Sequence, residues 1–287
     1  MTTASVIVPC YNAETTLPAA LESLARQHWN QPWEVVVADN GSTDRSRGVA
    51  ESYARRLPLR VVDASDRRGQ AHALNVGARA ATGRFLLFCD ADDEVGAGWL
   101  AAMGDGLRRS DAVAARWDIE RLNSPWLQQS RGNPQATGLQ RWTHPPFLPH
   151  AGGGSLGLRR SVHETVGDFD EMLAIVHDTD YCWRLQLAGF RIAFVPQAVV
   201  HIRFRATRRE LLRQALDYGR AEVSLYARYR DRGMTSFRLK DSLRAWALLG
   251  LRLPRLLRAG ARERWLWKLG YRIGRIAGSV HHGTLAL

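Results

Sequence analysis

Asp90, Asp92 and Asp93 fall within four positions, directly behind the apolar run Phe-Leu-Leu-Phe-Cys at 85–89. Carboxylates this close repel one another unless a cation lies among them. Hard oxygen donors suit Mg²⁺ or Mn²⁺, which in turn bridge phosphates. The same residues also suit a polar turn that caps a helix starting near Gly98. A second carboxylate, Asp39, ends another apolar run, Trp-Glu-Val-Val-Val-Ala-Asp at 33–39. In that place a carboxylate accepts hydrogen bonds from a nucleobase or ribose, as in dinucleotide folds, or it caps the Asn40-Gly41 turn. His201 closes a third apolar stretch, where a histidine is commonly a hydrogen-bonded partner.

These residues need elements that bring them to one place. Apolar runs at 5–9, 33–39, 59–62 and 85–89 read as buried strands. Between them, 15–27, a stretch ending near 57, and 70–81 carry helical spacing, and 66–69 is a loop. Strand and helix in alternation, with short connections, specify a mostly parallel sheet flanked by helices, a Rossmann-like α/β fold. In open α/β sheets ligands bind beyond the carboxyl ends of the strands. Asp39 and Asp90 are therefore expected on one rim. Further on, 98–110 reads as a helix and 112–117 as a strand, while 118–150 has no period and reads as a long functional loop. Gly152-Gly153-Gly154 marks close backbone approach or a hinge. A short strand (155–158), two helices (161–166 and 178–188) and two short strands on either side of Pro196 (193–195, 199–201) follow. From Thr207 the chain is helical, with Thr207 and Glu210 placed as a capping box.

The 287 residues, 45% hydrophobic and 24% charged, can bury a large core. The net charge of +12 is uneven. Residues 1–201 hold 20 Lys and Arg against 22 Asp and Glu, whereas 202–287 hold 20 against 6, a net of +14. The division into residues 1–205 and a basic helical extension, 206–287, follows from this shift. In the extension Trp246, Leu248, Leu249, Leu251 and Leu253 interleave with Arg244 and Arg252. That pattern fits a helical cap on the first domain, or helices lying on an anionic membrane surface. Nucleic acid is the weakest partner, since nothing beyond charge points to it. Cys10, Cys89 and Cys182 are far apart and odd in number, which reads as reduced thiols in a cytoplasmic protein. No secretory leader is expected. No apolar run reaches the roughly 18 residues of a spanning helix.

Several segments occur in a telling order: Ser-Val-Ile-Val-Pro-Cys-Tyr-Asn at 5–12, Ala-Asp-Asn-Gly-Ser-Thr-Asp at 38–44, Asn75-Val-Gly, Cys-Asp-Ala-Asp-Asp at 89–93, Gly-Asp-Phe-Asp-Glu at 167–171 and His-Asp-Thr-Asp-Tyr at 177–181. This set, over roughly residues 4–205, resembles the family-2 glycosyltransferases with their A-type nucleotide-sugar-binding fold. The resemblance implies an inverting hexosyltransferase acting on a nucleotide-sugar donor, with UDP the leading nucleotide. The acceptor is a glycan, a lipid-linked group or a small molecule. Pro9 and Tyr11 would line the base pocket and Asp39 would contact the base. Gly69 and Asn75 would belong to the donor site, and Asp90 would lie nearer the nucleoside. Asp92, with Asp90 and with His201 as a third ligand, would hold the metal; the choice between Asp92 and Asp93 stays open. The family's usual Glu-Asp pair is His177-Asp178 here. Asp178 would be the general base, and His177 would share proton transfer. Alternatively Asp178 only caps its helix and Asp180 pairs with Arg184. Processive synthases carry Gln-x-x-Arg-Trp; here Gly138 and Ala261 stand where the Gln belongs, which implies a non-processive enzyme. The rival is a catalytically silent nucleotide- or glycan-binding protein of the same fold.

Overall fold

The four apolar runs become the parallel half of one sheet, reaching to one of its edges. The computed structural model describes residues 2–142, 145–257 and 260–284. It contains β1 (Ala4–Cys10), β2 (Trp33–Asp39), β3 (Leu59–Asp63), β4 (Phe85–Phe88), β5 (Glu94–Val95), β6 (Ala112–Asp118), β7 (Leu156–Arg159) and β8 (Ile192–His201). The strand order is β3-β2-β1-β4-β7-β6-β8-β5. β3, β2, β1 and β4 pair in parallel, as do β6 and β8; β7 is antiparallel to both neighbours, and β5 to β8. The sheet is therefore mixed but mostly parallel. Every residue of β1 is buried. The expected alternation is present: α1 (Leu17–Ala25), α2 (Ser46–Ser52), α3 (Gln70–Ala80) and α4 (Trp99–Arg109) connect the strands. Register sets Cys10 beside Asp39 and Ile7 beside Phe88. Asp39 and Asp90 thus leave the sheet on the same rim.

Three details differ from the sequence expectation. The stretch 118–150 contains a helix, α5 (Pro125–Arg131), started by Pro125 at its first turn. The strands expected on either side of Pro196 are one strand, β8, with a register shift against β6 between Ala115 and Arg116. A proline has no N–H for the ladder, so Pro196 falls in that irregularity. β5, two residues long, is too short to leave a periodic signal. Past β7 come α6 (Arg160–Val166) and α7 (His177–Leu187), then α8 (Arg208–Tyr229), α9 (Leu239–Leu251) and α10 (Ala261–His282).

Contacts divide the chain into two units: 1–118, 135–140 and 150–202, and 119–134, 141–149 and 203–287. The first holds the sheet. The second is helical, and in it α8 bears the expected capping box, Thr207 with Glu210. α8 and α10 touch backbone to backbone. A Cβ on Gly219 would lie 2.0 Å from the Tyr271 carbonyl oxygen, and one on Gly274 would lie 2.1 Å from that of Leu216. Only glycine fits there. A buried pair, Glu222 and Arg275, 3.5 Å apart, joins the same two helices. Burial raises the Glu222 carboxyl to about 7, against the pull of Arg275.

Candidate active site

The turn after β1 is stitched to the turn after β2. Asn12 takes a left-handed conformation (φ 48°). Its Oδ1 accepts from the Thr43 N–H at 2.8 Å, and its own N–H donates to Ser42 Oγ at 3.1 Å. Ser46 Oγ accepts from the Ala13 N–H at 2.7 Å. Asp39, buried at the end of β2, accepts the Ser42 N–H at 3.0 Å. Asn40 holds the next loop: its amide donates to the carbonyls of Ala64 and Arg67, and its Oδ1 accepts from the Gly69 N–H at 2.8 Å. That loop carries Arg68, whose guanidinium lies 4.4 Å from the centroid of the Tyr11 ring. Tyr11 is 51% exposed, whereas Pro9 is buried within β1. The rim therefore presents an exposed aromatic–cation pair beside a buried carboxylate.

The acidic triplet gathers as its spacing suggests. Oxygens of Asp90, Asp92 and Asp93 all lie within 4.8 Å of one another. Asp93 is buried and the other two are half-buried. Gln70, in the first turn of α3, donates its Nε2 to Asp90 Oδ1 at 2.8 Å. Three clustered carboxylates form an all-oxygen donor set that fits a hard divalent cation. His201 pairs in register with Glu94 of β5 and, on its other side, with Asp118 of β6. Its Nδ1 lies 2.7 Å from Asp118 Oδ2. Its Nε2 lies 3.7 Å from where a Cβ on Gly96 would stand, and His201 is not in the group of oxygens that the three aspartates form.

The three glycines at 152–154 are fixed by what they touch. A Cβ on Gly152 would lie 2.2 Å from the Trp117 ring. One on Gly154 would lie 2.8 Å from the Asp90 carboxylate. Between them, the Gly153 N–H donates to Asp178 Oδ2 at 2.9 Å. Gln135, fully buried, secures the segment: its Nε2 donates to Ser155 Oγ at 2.8 Å, and its Oε1 accepts from the Gly152 N–H at 3.0 Å. Nothing in the sequence marked Gln135, because it lies in the stretch without period.

α7 begins under strain. Val176, a β-branched residue, takes φ 57° immediately before His177, a conformation that costs energy and recurs at functional sites. Asp178, half-buried, also accepts the Thr179 N–H at 2.7 Å. Asp180 is fully buried and pairs with Arg184 at 2.8 Å. Arg184 also donates to the carbonyls of Val166 and Asp168. That confirms the structural expectation for Asp180: it ties α7 to the loop before it.

Two expected site residues face inward. Asn75, 1% exposed, bonds Phe169 through both N–H and carbonyl and also reaches Glu171, all at 2.9 Å. It clamps the Gly-Asp-Phe-Asp-Glu loop to α3. His177 is 5% exposed, its ring 6.0 Å from that of Phe169. Burial pushes its pKa down, although Asp178 and Asp180 pull the other way. A buried imidazole held neutral makes a poor proton carrier to an outside hydroxyl. The spacing missed His150, which is buried beside Trp183 and senses the Asp178 charge. Burial lowers its imidazole to about 4, with Asp178 opposing.

Both depressed histidines carry a sign. The unfolded chain, at the ordinary 6.5, takes protons more readily than the fold. Their stabilisation is complete above that pH and is lost as pH falls below it, for His150 toward about 4. For His150 alone, the loss between pH 7 and 4.5 should be on the order of 2–3 kcal/mol. Urea unfolding at both pH values should show it, and His150→Asn should remove that share. An unchanged pH dependence in the variant would contradict the assignment.

The chain belongs to glycosyl transferase family 2, which matches residues 5–167. It is 34% identical over 129 residues to the uncharacterized glycosyltransferase YibD of Escherichia coli (strain K12), covering 45% of this chain and 36% of the relative. The chain spans about a third or less of the length of the curated relatives it matches. Among solved structures it is similar to the mannosyltransferase PcManGT of Pyrobaculum calidifontis, in complex with GDP-Man and Mn²⁺. There the TM-score is 0.64 at 21% identity, covering 95% of this chain and 86% of that one. It is also similar to Staphylococcus aureus TarS 1-349 in complex with UDP-GlcNAc, with a TM-score of 0.54 at 20% identity, covering 99% and 93%. These likenesses show the A-type glycosyltransferase fold.

Proposed function

We propose that this chain is a metal-dependent, inverting, non-processive glycosyltransferase. In this reading it moves a hexosyl group from a nucleotide-sugar, with UDP the leading nucleotide, to an acceptor hydroxyl. One observation carries the reading. Consecutive residues contact the two halves of the chemistry: Gly153 donates to Asp178, and Gly154 lies against Asp90. Adjacent Cα atoms are ~3.8 Å apart, so the candidate base and the acidic cluster share one small space. A silent binder has no need of a carboxylate held at that point.

Asp39 would accept from the base, with Tyr11 and Arg68 flanking it, and Asp90 would reach the ribose. Asp178 takes the proton of the acceptor hydroxyl. The freed oxygen pair attacks the anomeric carbon, the bond to the diphosphate oxygen breaks, and that electron pair leaves with the nucleoside diphosphate. A single displacement inverts the anomeric centre. Asp92 and Asp90, with His201 as the third donor of this reading, would hold a divalent cation, Mg²⁺ or Mn²⁺, which would supply charge neutralisation for the departing diphosphate. A nucleotide-sugar panel assayed with and without Mn²⁺ tests this reading.

The location we propose is cytoplasmic and peripheral, at the inner face of the membrane. All three cysteines are buried free thiols. Among the described residues no helix is long and apolar enough to cross a membrane. α9 nevertheless exposes Leu239, Leu243 and Leu251 by 56%, 61% and 75%. Apolar side chains among arginines suit an anionic lipid interface. Pelleting with phosphatidylglycerol vesicles at low salt should fall several-fold in Leu243→Asp/Leu251→Asp. Equal pelleting would remove the membrane reading.

A further inference from the structure

The helical unit contains a cavity of about 520 Å³ between α5, α9 and α10. Among the described residues five cations line it: Arg131, Arg252, Arg264, Lys268 and Arg272. No acidic side chain does. Leu248 and the Trp267 ring supply its apolar wall. The cations are not equivalent. Arg131 is held in place, 4.4 Å from the Trp267 ring centroid and donating to Gln214 Oε1 at 3.2 Å. Arg264 donates its Nε to the Gln129 carbonyl at 2.7 Å. Arg252, Lys268 and Arg272 form no ion pair with an acid among the described residues, and Arg272 Nη1 is buried with no hydrogen-bond partner.

Gathering cations costs energy, since each raises the potential at the others. The strain is visible at Lys268, whose pKa is lowered by burial and then by Arg252, Arg264 and Arg272. Burial likewise lowers that of Arg272, with Arg275 adding to it and Glu222 and Tyr271 opposing. A bound anion relieves both effects. Guanidinium groups offer paired N–H donors to phosphate oxygens, and a lysine adds a point charge.

We infer that this cavity is a binding site for a phosphate or diphosphate group, held by Arg252, Lys268 and Arg272, with an apolar portion of the same ligand lying against Leu248 and Trp267. The site is separate from the acidic triplet in chemistry, because it takes the anion directly rather than through a metal. It does not rest on the glycosyl-transfer reading, since its test reads binding alone. The group can belong to a soluble phosphorylated compound or to a lipid headgroup.

The test is calorimetric titration of the full chain with inorganic pyrophosphate in EDTA, which removes any metal-held diphosphate. Arg252→Gln/Lys268→Gln is compared with Arg209→Gln/Arg213→Gln, which makes the same change of charge at two exposed arginines outside the cavity. Removing one charge-assisted hydrogen bond to the anion should weaken binding by roughly tenfold or more. The cavity variant should therefore show no measurable binding, while the control stays within about twofold of wild type. Pyrophosphate should also protect Lys268 from acylation in the unmodified protein, a readout that needs no variant. In a second arm, flotation with phosphatidic acid vesicles is set against phosphatidylglycerol vesicles of equal charge. Pyrophosphate binding abolished only in the cavity variant supports a soluble ligand. Absent pyrophosphate binding, with phosphatidic acid preferred and that preference abolished in the cavity variant, supports a lipid phosphate. Equal weakening in both variants, or no binding and no protection in either arm, overturns the site.

Discussion

Asp178→Asn should leave donor affinity near that of the wild type while transfer falls by roughly a hundred- to ten-thousand-fold, the range typical of losing a general base. The substitution keeps shape but only half of the acceptor capacity: the carboxylate receives the Gly153 N–H on Oδ2 at 2.9 Å and the Thr179 N–H on Oδ1 at 2.7 Å. The amide oxygen keeps one of these bonds while its NH2 group faces the other N–H, so the variant's melting temperature is measured beside its donor binding. What disappears is basicity. His177 offers no substitute, because it is buried against Phe169 and held neutral. A thermal-shift measurement of donor binding, alongside kcat with acceptor, separates the two effects. Transfer at the wild-type rate would remove Asp178 from the base role.

Asp92→Ala should abolish metal-stimulated turnover and weaken nucleotide binding only when metal is present. The effect should be large because the cluster is small. Its oxygens lie within 4.8 Å, and Asp93 is buried beneath the two half-buried members. Loss of one carboxylate leaves too few oxygens to compete with water for a hard cation. Titration of Mn²⁺ by electron paramagnetic resonance reads the ion directly, independently of turnover. Unchanged Mn²⁺ affinity in Asp92→Ala would shift the ligand role to Asp93.

The first half of the fold was legible because its strands are buried apolar runs that end in carboxylates. Phe85 to Phe88 announces β4, and Asp39 and Asp90 fall on one rim because the parallel register leaves no other outcome. The unread parts depend on residues distant in the chain. Asn75 is engaged by Phe169 and Glu171, over ninety positions away, and Gln135 holds Ser155, 20 positions away. Spacing within one segment carries no trace of either. α5 buries only Leu127 and Ser130, so it has no apolar period. The glycines at 270, 274 and 278 did carry a readable signal, one side chain missing at every turn of α10. The reason for it, the backbone of α8 lying against them, appears only in the fold.

The central claim is that the acidic cluster and Asp178 act on one nucleotide-sugar. The most direct measurement is release of nucleoside diphosphate from a panel of UDP- and GDP-sugars, with Mn²⁺ or EDTA, by wild type and Asp178→Asn. The account predicts Mn²⁺-dependent release from at least one donor, accelerated by acceptor in the wild type and not in the variant. Donor binding without release from any sugar, in either metal condition, would contradict it and leave a silent binding protein.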